Sequence, residues 1–307
     1  MYELIIIGGG PAAVSAGVYA ARKKIKAAVI AESFGGQSIV SDDIGNWIGT
    51  KSITGWDLAK QLEEHLRAQE GIDIIEDKVE VVAKKESGFS VKTLSGKEYE
   101  TKTVIICSGG KHRHLNVPGE DKFVGKGVVF CSTCDAPLFK DKDVAVVGAG
   151  NAGLEAVLDL VPYAKKIYLI VRGDKIKGDQ STFEDVLNCG KAEVIYNADT
   201  KEILGDGFVS GLKYTDTSSG KEKEISVQGI FVEIGTLPNS DMVKDLVELN
   251  ERGEIKVDAR TGKSSIPGIW AAGDVTDLLY KQSNIAVGDA VRATLNAYSY
   301  LREKGNK

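Results

Sequence analysis

Apolar positions 4–7 run straight into Gly8-Gly9-Gly10-Pro11-Ala12-Ala13, and small or apolar residues then continue to Ala21 before Arg22-Lys23-Lys24. That order predicts strand, turn and helix. A second apolar run over 27–31 stops at Glu32. The pattern returns further on, with a strand over 144–147, the turn Gly148-Ala149-Gly150-Asn151-Ala152-Gly153, a helix to about 161 and a strand over 167–171. Between the two repeats, Leu58, Leu62 and Leu66 keep helical spacing, with His65 on the polar side as a surface residue. Residues 71–103 alternate in short runs and predict an antiparallel meander, which leads into a buried strand over 104–106. A second set of short strands fills 192–234. An apolar strand then stops at Gly273-Asp274, and a last helix is expected over about 282–301. Pro118-Gly119 and Leu237-Pro238-Asn239 mark two linkers.

The two glycine turns carry the first chemistry. In a dinucleotide fold, glycines let the backbone approach a pyrophosphate at a helix N-terminus, and an acid about 20 residues on accepts hydrogen bonds from the adenosine ribose. Gly8, Gly10, Pro11 and Ala12 followed by Glu32 fit that role. Gly148, Gly150, Asn151, Ala152 and Gly153 form the second turn, so the chain is expected to hold two dinucleotides. Arg172 stands where the first site has Glu32. A guanidinium suits a 2'-phosphate that a carboxylate would repel, which points the second site to NADPH.

Composition changes the picture only by exclusion. At 307 residues and 42% hydrophobic content, a two-domain globular chain is expected. A net charge of -5 argues against nucleic acid as partner. The opening Met1-Tyr2 passes directly to the glycine motif with no basic leader, and no run approaches a membrane span, so cytoplasm is the expected location.

Cys131-Ser132-Thr133-Cys134-Asp135 supplies the second chemistry. If the segment opens a helix, the two thiols share a face with Cβ atoms roughly 5 to 6 Å apart, near disulfide range. A helix N-terminus favours a thiolate, and Cys131 gains most from that field. Asp135 can carry the exchanged proton if burial raises its pKa. A C-x-x-C can also be half of a zinc site or an inert pair. Zinc needs two further ligands, and Cys107, Cys189 and three histidines form no second paired cluster, so redox use is the favoured reading and no metal is expected. Cys107 reads as a packed core residue and Cys189 as an incidental loop thiol.

The order of these parts resembles the low-molecular-weight thioredoxin reductase family, through residues 8–13, Phe34-Gly35-Gly36-Gln37, Asn116-Val117-Pro118-Gly119-Glu120, residues 131–135 and 148–153, and Ala271-Ala272-Gly273-Asp274. From Phe130 onward the chain is also similar to the flavoprotein portion of the alkyl hydroperoxide reductase F subunit. The resemblance implies an α/β fold of two nucleotide-binding, three-layer, Rossmann-like domains, the second inserted in the first. A discontinuous FAD domain is expected over 1–113 and 243–307, with an NAD(P)H domain carrying the cysteine pair over 114–242. FAD is then expected on the first turn and Glu32. Gly35, Gly36, Gln37 and Asn46 would lie near the flavin, Gly273 and Asp274 toward the ribityl and pyrophosphate, and Gln282 with Ser283 over the ring. By the same resemblance Cys134 faces the flavin, Cys131 meets the protein substrate, and Asp135 donates the proton.

The implied activity is thioredoxin-disulfide reduction by a homodimer, with electrons passing from NADPH through FAD to the cysteine pair and on to thioredoxin or a thioredoxin-like small redox protein. No thioredoxin-like domain precedes Met1-Tyr2 on this reading, so the acceptor is expected to be a separate protein. The chain departs from the family at the donor site. Ala152 replaces a usual serine, and the family's His-Arg-Arg reads Val171-Arg172-Gly173, with Lys175 and Lys177 nearby. The alkyl hydroperoxide reductase acid for NADH falls on Val171. NADH, or a non-nicotinamide donor such as ferredoxin, is therefore an alternative, and a non-catalytic nucleotide-binding interaction protein is the alternative of another class.

Overall fold

The computed structural model describes residues 1–305, and the last two residues of the expected second FAD segment lie outside the described residues. The chain begins β1 (Tyr2–Ile7), α1 (Pro11–Arg22), β2 (Ala27–Ala31), α2 (Gly55–Arg67), β3 (Ile72–Glu76), β4 (Val79–Lys85), β5 (Gly88–Thr93) and β6 (Glu98–Ile106). A short strand β7 (Gly110–His112) leads to α3 (Glu120–Phe123), β8 (Val128–Val129), α4 (Ser132–Asp135), β9 (Asp143–Val147), α5 (Asn151–Leu160) and β10 (Lys166–Ile170). There follow α6 (Gln180–Asn188), β11 (Ala192–Ile195), β12 (Ala198–Gly205), β13 (Val209–Asp216), β14 (Lys221–Ser226) and β15 (Gly229–Val232). The return strand β16 (Thr236–Pro238) precedes β17 (Ile269–Ala271) and α7 (Ser283–Gly305).

Two compact units result, one of residues 1–111 with 237 onward, the other of His112–Thr236. These divisions lie a little before the expected 113/114 and 242/243. Asn239, whose Nδ2 donates to the Ser108 carbonyl at 2.9 Å, and Ser240, whose hydroxyl donates to the Gly253 carbonyl at 2.6 Å, tie the residues ahead of 243 to the first unit and so draw that boundary back.

In the first unit β3, β2, β1, β6 and β17 are parallel neighbours. The nine-residue β6 also pairs through its first half with antiparallel β5, and β5 with β4. Ile72–Glu76 therefore joins the parallel sheet at its edge, correcting the expectation of a meander over all of 71–103. Its Ile74 and Ile75 are both half-buried, so the run lacks the strict alternation of a one-sided strand. The alternate residues of β1 are buried on opposite faces. Leu4 and Ile6 pack with α1 and with Ala290, Ala293 and Ala297 of α7. Ile5 and Ile7 pack with Val82, Val91 and Val247 on the other side. Helices, sheet and meander make three layers.

The second unit repeats the plan on a five-stranded parallel sheet ordered β11-β10-β9-β15-β8. Val144 and Val146 face α5 and α6, while Ala145 and Val147 face Ile203 and Leu212 of the antiparallel β12-β13-β14 layer. Each unit thus has the Rossmann-type arrangement, with a glycine turn between β1 and α1 in the first and between β9 and α5 in the second.

Those turns are built alike. Gly8 has φ +130°, and a Cβ there would lie 2.2 Å from the Cys107 carbonyl oxygen; Gly148 has φ +127°, and its Cβ would lie 2.2 Å from the Glu233 carbonyl oxygen. Only glycine satisfies both the backbone angle and the close approach.

Candidate active site

Cys131 and Cys134 are joined as a disulfide with Cα atoms 5.3 Å apart. The strand β8 delivers the chain to Cys131, which caps α4: its Sγ accepts the Cys134 backbone N–H at 3.2 Å. The Asp135 N–H donates to the Cys131 carbonyl at 3.0 Å. The helix at the pair is a single turn, passing at Ala136–Phe139 into a 3-10 turn that contains Pro137. The Cys134 N–H at short range, more than the field of a long helix, is what favours negative charge on Cys131.

Three carboxylates surround this turn. Asp135 is half-buried, and desolvation pushes its carboxyl up to about 6. Asp159, near the end of α5, accepts the Ser132 hydroxyl at 2.8 Å and the Thr133 hydroxyl at 3.2 Å. Glu233 follows β15, and burial pushes it up to about 8; the Ser132 backbone N–H opposes that rise, and the charges of Asp159, Asp135 and Glu155 add to it. Sequence reading singles out neither Asp159 nor Glu233. Asp159 reads there as an ordinary polar helix position, and the one available signal for Glu233 is a lone carboxylate inside the apolar run 230–234. Phe130, next to Cys131, stacks on His112 with ring centroids 5.0 Å apart. Burial, with His114 nearby, holds His112 below the usual histidine range.

In the first unit the structure gathers most of the expected flavin residues. A Cβ on Gly36 would lie 3.2 Å from the Gly10 Cα, and one on Gly273 would lie 3.5 Å from the Ala12 Cβ. Gly35, left-handed at φ +105°, starts the turn Gly36–Val40. Gln37 Nε2 donates to Asp274 Oδ2 at 3.0 Å, and burial pushes Asp274 above the usual carboxylate range. Ser38 and Ser283 share a hydroxyl hydrogen bond at 3.3 Å, and Asn46 Nδ2 donates to Gln282 Oε1 at 3.4 Å. Asn284, not singled out from sequence, adds a bond from its Nδ2 to the Asn46 carbonyl at 2.7 Å. Glu32 stands apart at the end of β2, exposed and paired with Lys78 at 3.2 Å. Gln37 Oε1 is buried with no partner. An acceptor of that kind beside a half-buried carboxylate fits the polar edge of a flavin, which carries an N–H donor.

The second turn is open at its tip, since a Cβ on Gly150 would meet nothing within 4 Å. Ala149 accepts the N–H groups of Lys177 and Gly178 at 2.9 and 3.1 Å, and Asn151 Oδ1 accepts the Asp179 N–H at 2.8 Å. The segment after β10 is thereby folded against the turn. Arg172 is exposed, whereas Val171 is buried in the core of this unit. Ala152 and Gly153 lie in the first turn of α5. The open tip at the N-terminus of α5 is a geometry that suits a pyrophosphate, and the exposed Arg172 lies two residues after β10.

Among the described residues, no group of three or more His, Cys, Asp and Glu could hold a metal ion. Among the same residues, no helix is long and apolar enough to cross a membrane.

A family description of the pyridine nucleotide-disulphide oxidoreductases matches residues 2–290. "NADH dehydrogenase" of Bacillus subtilis (strain 168) is 41% identical over 300 residues, covering 98% of this chain and 58% of that protein. The alkyl hydroperoxide reductase F subunit of Pseudomonas putida is 43% identical over 304 residues, covering 98% of this chain and 58% of its own length. The chain thus spans just over half the length of these relatives. The thioredoxin reductase of Streptococcus pyogenes MGAS5005 superposes with a TM-score of 0.93 at 34% identity, covering 99% of both chains.

Proposed function

Because the chain belongs to the pyridine nucleotide-disulphide oxidoreductase family, whose chemistry joins a flavin and a pyridine nucleotide to a disulfide, we propose that it is a thioredoxin-disulfide reductase using FAD and NADPH. The observation that carries this reading is the Cys131–Cys134 disulfide set beside the raised carboxyl of Asp135. The flavin, when bound, supplies two-electron transfer between the nicotinamide and the disulfide. The first-unit residues Gly8, Gly10, Pro11, Ala12, Glu32, Gly35, Gly36, Gln37, Asn46, Gly273, Asp274, Gln282 and Ser283 hold it. Gly148, Gly150, Asn151, Ala152 and Gly153 hold the nucleotide's pyrophosphate, with Arg172 toward the 2'-phosphate.

The protein's own groups do the exchange. Two electrons and two protons open the Cys131–Cys134 bond to two thiols, and Asp135 gives one of those protons. Cys131, as thiolate, attacks the acceptor's disulfide and forms a mixed disulfide, expelling one acceptor thiolate. Cys134 then attacks the Cys131 sulfur, which re-forms the internal disulfide and releases the acceptor as a dithiol. The acceptor is thioredoxin or a small protein like it, and the working form is a cytoplasmic homodimer.

The donor has a second reading. Arg172 is exposed and Val171 is buried, so of positions 171–173 only Arg172 offers a cation to the ribose end. A single charge-assisted contact is worth about 1.5 to 3 kcal/mol, roughly a 10- to 150-fold preference for NADPH over NADH. NADH, or a non-nicotinamide donor such as ferredoxin, follows if that contact is not made.

Anaerobic mixing of the oxidised flavoprotein with each nucleotide, followed by addition of thioredoxin, tests the whole reading. Bleaching of the flavin by NADPH that Arg172→Ala slows, with thioredoxin reduction lost in Cys131→Ser and Cys134→Ser, is the expected result. No bleaching by either nucleotide would overturn the nicotinamide assignment, and thioredoxin reduction by either serine variant would overturn the disulfide relay.

A further inference from the structure

A single carboxylate oxygen holds both residues between the cysteines. Ser132 Oγ donates to Asp159 Oδ2 at 2.8 Å, and Thr133 Oγ1 donates to the same oxygen at 3.2 Å. Ser132 is buried, so its hydroxyl meets this acceptor rather than solvent. Asp159 is presented from a fixed element: Leu154, Val157 and Leu160 anchor α5 in the core of its unit, and Lys191 Nζ donates to the Val161 and Ala164 carbonyls, each at 2.8 Å, just past the helix end. An acid in the last turn of a helix faces the negative end of the macrodipole, so helix stability does not call for one there. The two hydroxyl donors do. The backbone closes the same turn, with the Cys134 N–H donating to Cys131 Sγ and the Asp135 N–H to the Cys131 carbonyl.

We propose that Asp159 is a positioning residue for the Cys131–Cys134 pair: by holding the hydroxyls of Ser132 and Thr133 it keeps the two sulfurs within closing distance once the disulfide is opened, and so sets how strongly the pair favours the disulfide. The inference rests on the redox reading of the pair. Opening the disulfide frees the cysteine side chains, and the two-residue spacer then decides whether the thiols stay together. Bonds that fit the spacer with the disulfide closed favour the closed form by whatever they lose when the pair opens and the spacer loosens. They also hold Cys134 beside the Cys131 sulfur while Cys131 is joined to an acceptor, and an oriented neighbour reacts at a high effective concentration. The action runs through the two hydroxyls, so a variant that keeps the acceptor oxygen keeps the effect.

The test equilibrates the flavin-loaded protein, without oxygen, in glutathione buffers of graded thiol-to-disulfide ratio. Two glutathione thiols give two electrons and two protons to the Cys131–Cys134 bond, yielding two cysteine thiols and one glutathione disulfide. Acid quenching, alkylation and peptide mass spectrometry then count the closed pair, the open pair and the Cys131–glutathione mixed disulfide. A stability loss shared by both oxidation states leaves this equilibrium unmoved. Asp159→Ala should lower the pair's effective concentration about tenfold, equivalent to about 1.4 kcal/mol, and raise the mixed-disulfide fraction. Ser132→Ala combined with Thr133→Val, which keeps the charge and removes both donors, should do the same, and it carries the test should Asp159→Ala fail to fold. Asp159→Asn, which keeps an acceptor oxygen, should restore the wild-type value. Wild-type values in Asp159→Ala or in the double variant, or an Asp159→Asn shifted as far as Asp159→Ala, would overturn the positioning role and leave the redox reading standing. A wild-type pair that does not interconvert between disulfide and thiols at any ratio would overturn the redox reading and this inference with it.

Discussion

The Ser132 hydroxyl donates to Asp159 Oδ2 at 2.8 Å, tying the first of the two residues between the cysteines to the helix that begins at the second glycine turn. Thr133 adds a second bond to the same oxygen. One carboxylate thus holds both residues that separate Cys131 from Cys134. Asp159→Ala leaves two hydroxyls without their acceptor. The expected cost is about 1.5 to 3 kcal/mol, the range for hydrogen bonds to a charged group. It is read as a lower urea midpoint with an unchanged slope, and Ser132→Ala should lose less, because Thr133 keeps its bond.

Asp135 should set the acid side of the half-reaction that opens the disulfide. Its carboxyl is pushed up to about 6, so it carries a proton below that pH and loses it as pH rises through that value. The wild-type rate of disulfide reduction should fall across this interval. Asp135→Asn should be slower by about 10²-fold at pH 5.5 and lack that dependence. A stopped-flow series from pH 5 to 8 measures both.

Stability should respond to the same carboxyls with a definite sign. Asp135 and Glu233 hold protons in the folded protein that an unfolded chain has already released, with raised values of about 6 and about 8. Their contribution is fully present below the ordinary carboxylate range and is lost as pH rises through the two raised values. The urea midpoint should therefore decline between pH 5 and 8.5. The Asp135→Asn, Glu233→Gln double variant should show a shallower decline over that interval.

Gln37 and Asp274 should hold flavin without touching the redox pair. Gln37→Ala removes a half-buried amide that bonds Asp274 at 3.0 Å. A loss of about 1.4 kcal/mol corresponds to a tenfold weaker flavin affinity. Release of flavin fluorescence on dilution measures this. Thiol titration should still find Cys131 and Cys134 as a disulfide.

Sequence pattern is sufficient where a residue's role is local. The Gly8 and Gly148 turns, the apolar strands that lead into them and the C-x-x-C spacing are each set within a few neighbouring positions, and each is legible in the sequence alone. The edge strand Ile72–Glu76 is not, because parallel pairing with β2 is a long-range choice that short apolar runs do not encode. The extent of α4 is also hidden, since Pro137 tightens the chain into a 3-10 turn after four residues. Asp159 and Glu233 are silent for another reason. Nothing in their immediate sequence signals a partner, and only the order β9-β15-β8 brings the end of β15 beside the cysteines.

The strands β7 and β16 pair with each other, so the inserted segment departs from its host and returns at one place. On either side of that pair, Arg113 N–H bonds Gly235 and Asn239 N–H bonds Gly109, each at 2.9 Å. Closing a loop across ends already held together costs the host little entropy, whatever the length between them. A whole module can therefore be exchanged at this seam while the host's sheet keeps its register. Selection could then change what the second unit recognises without rebuilding the first.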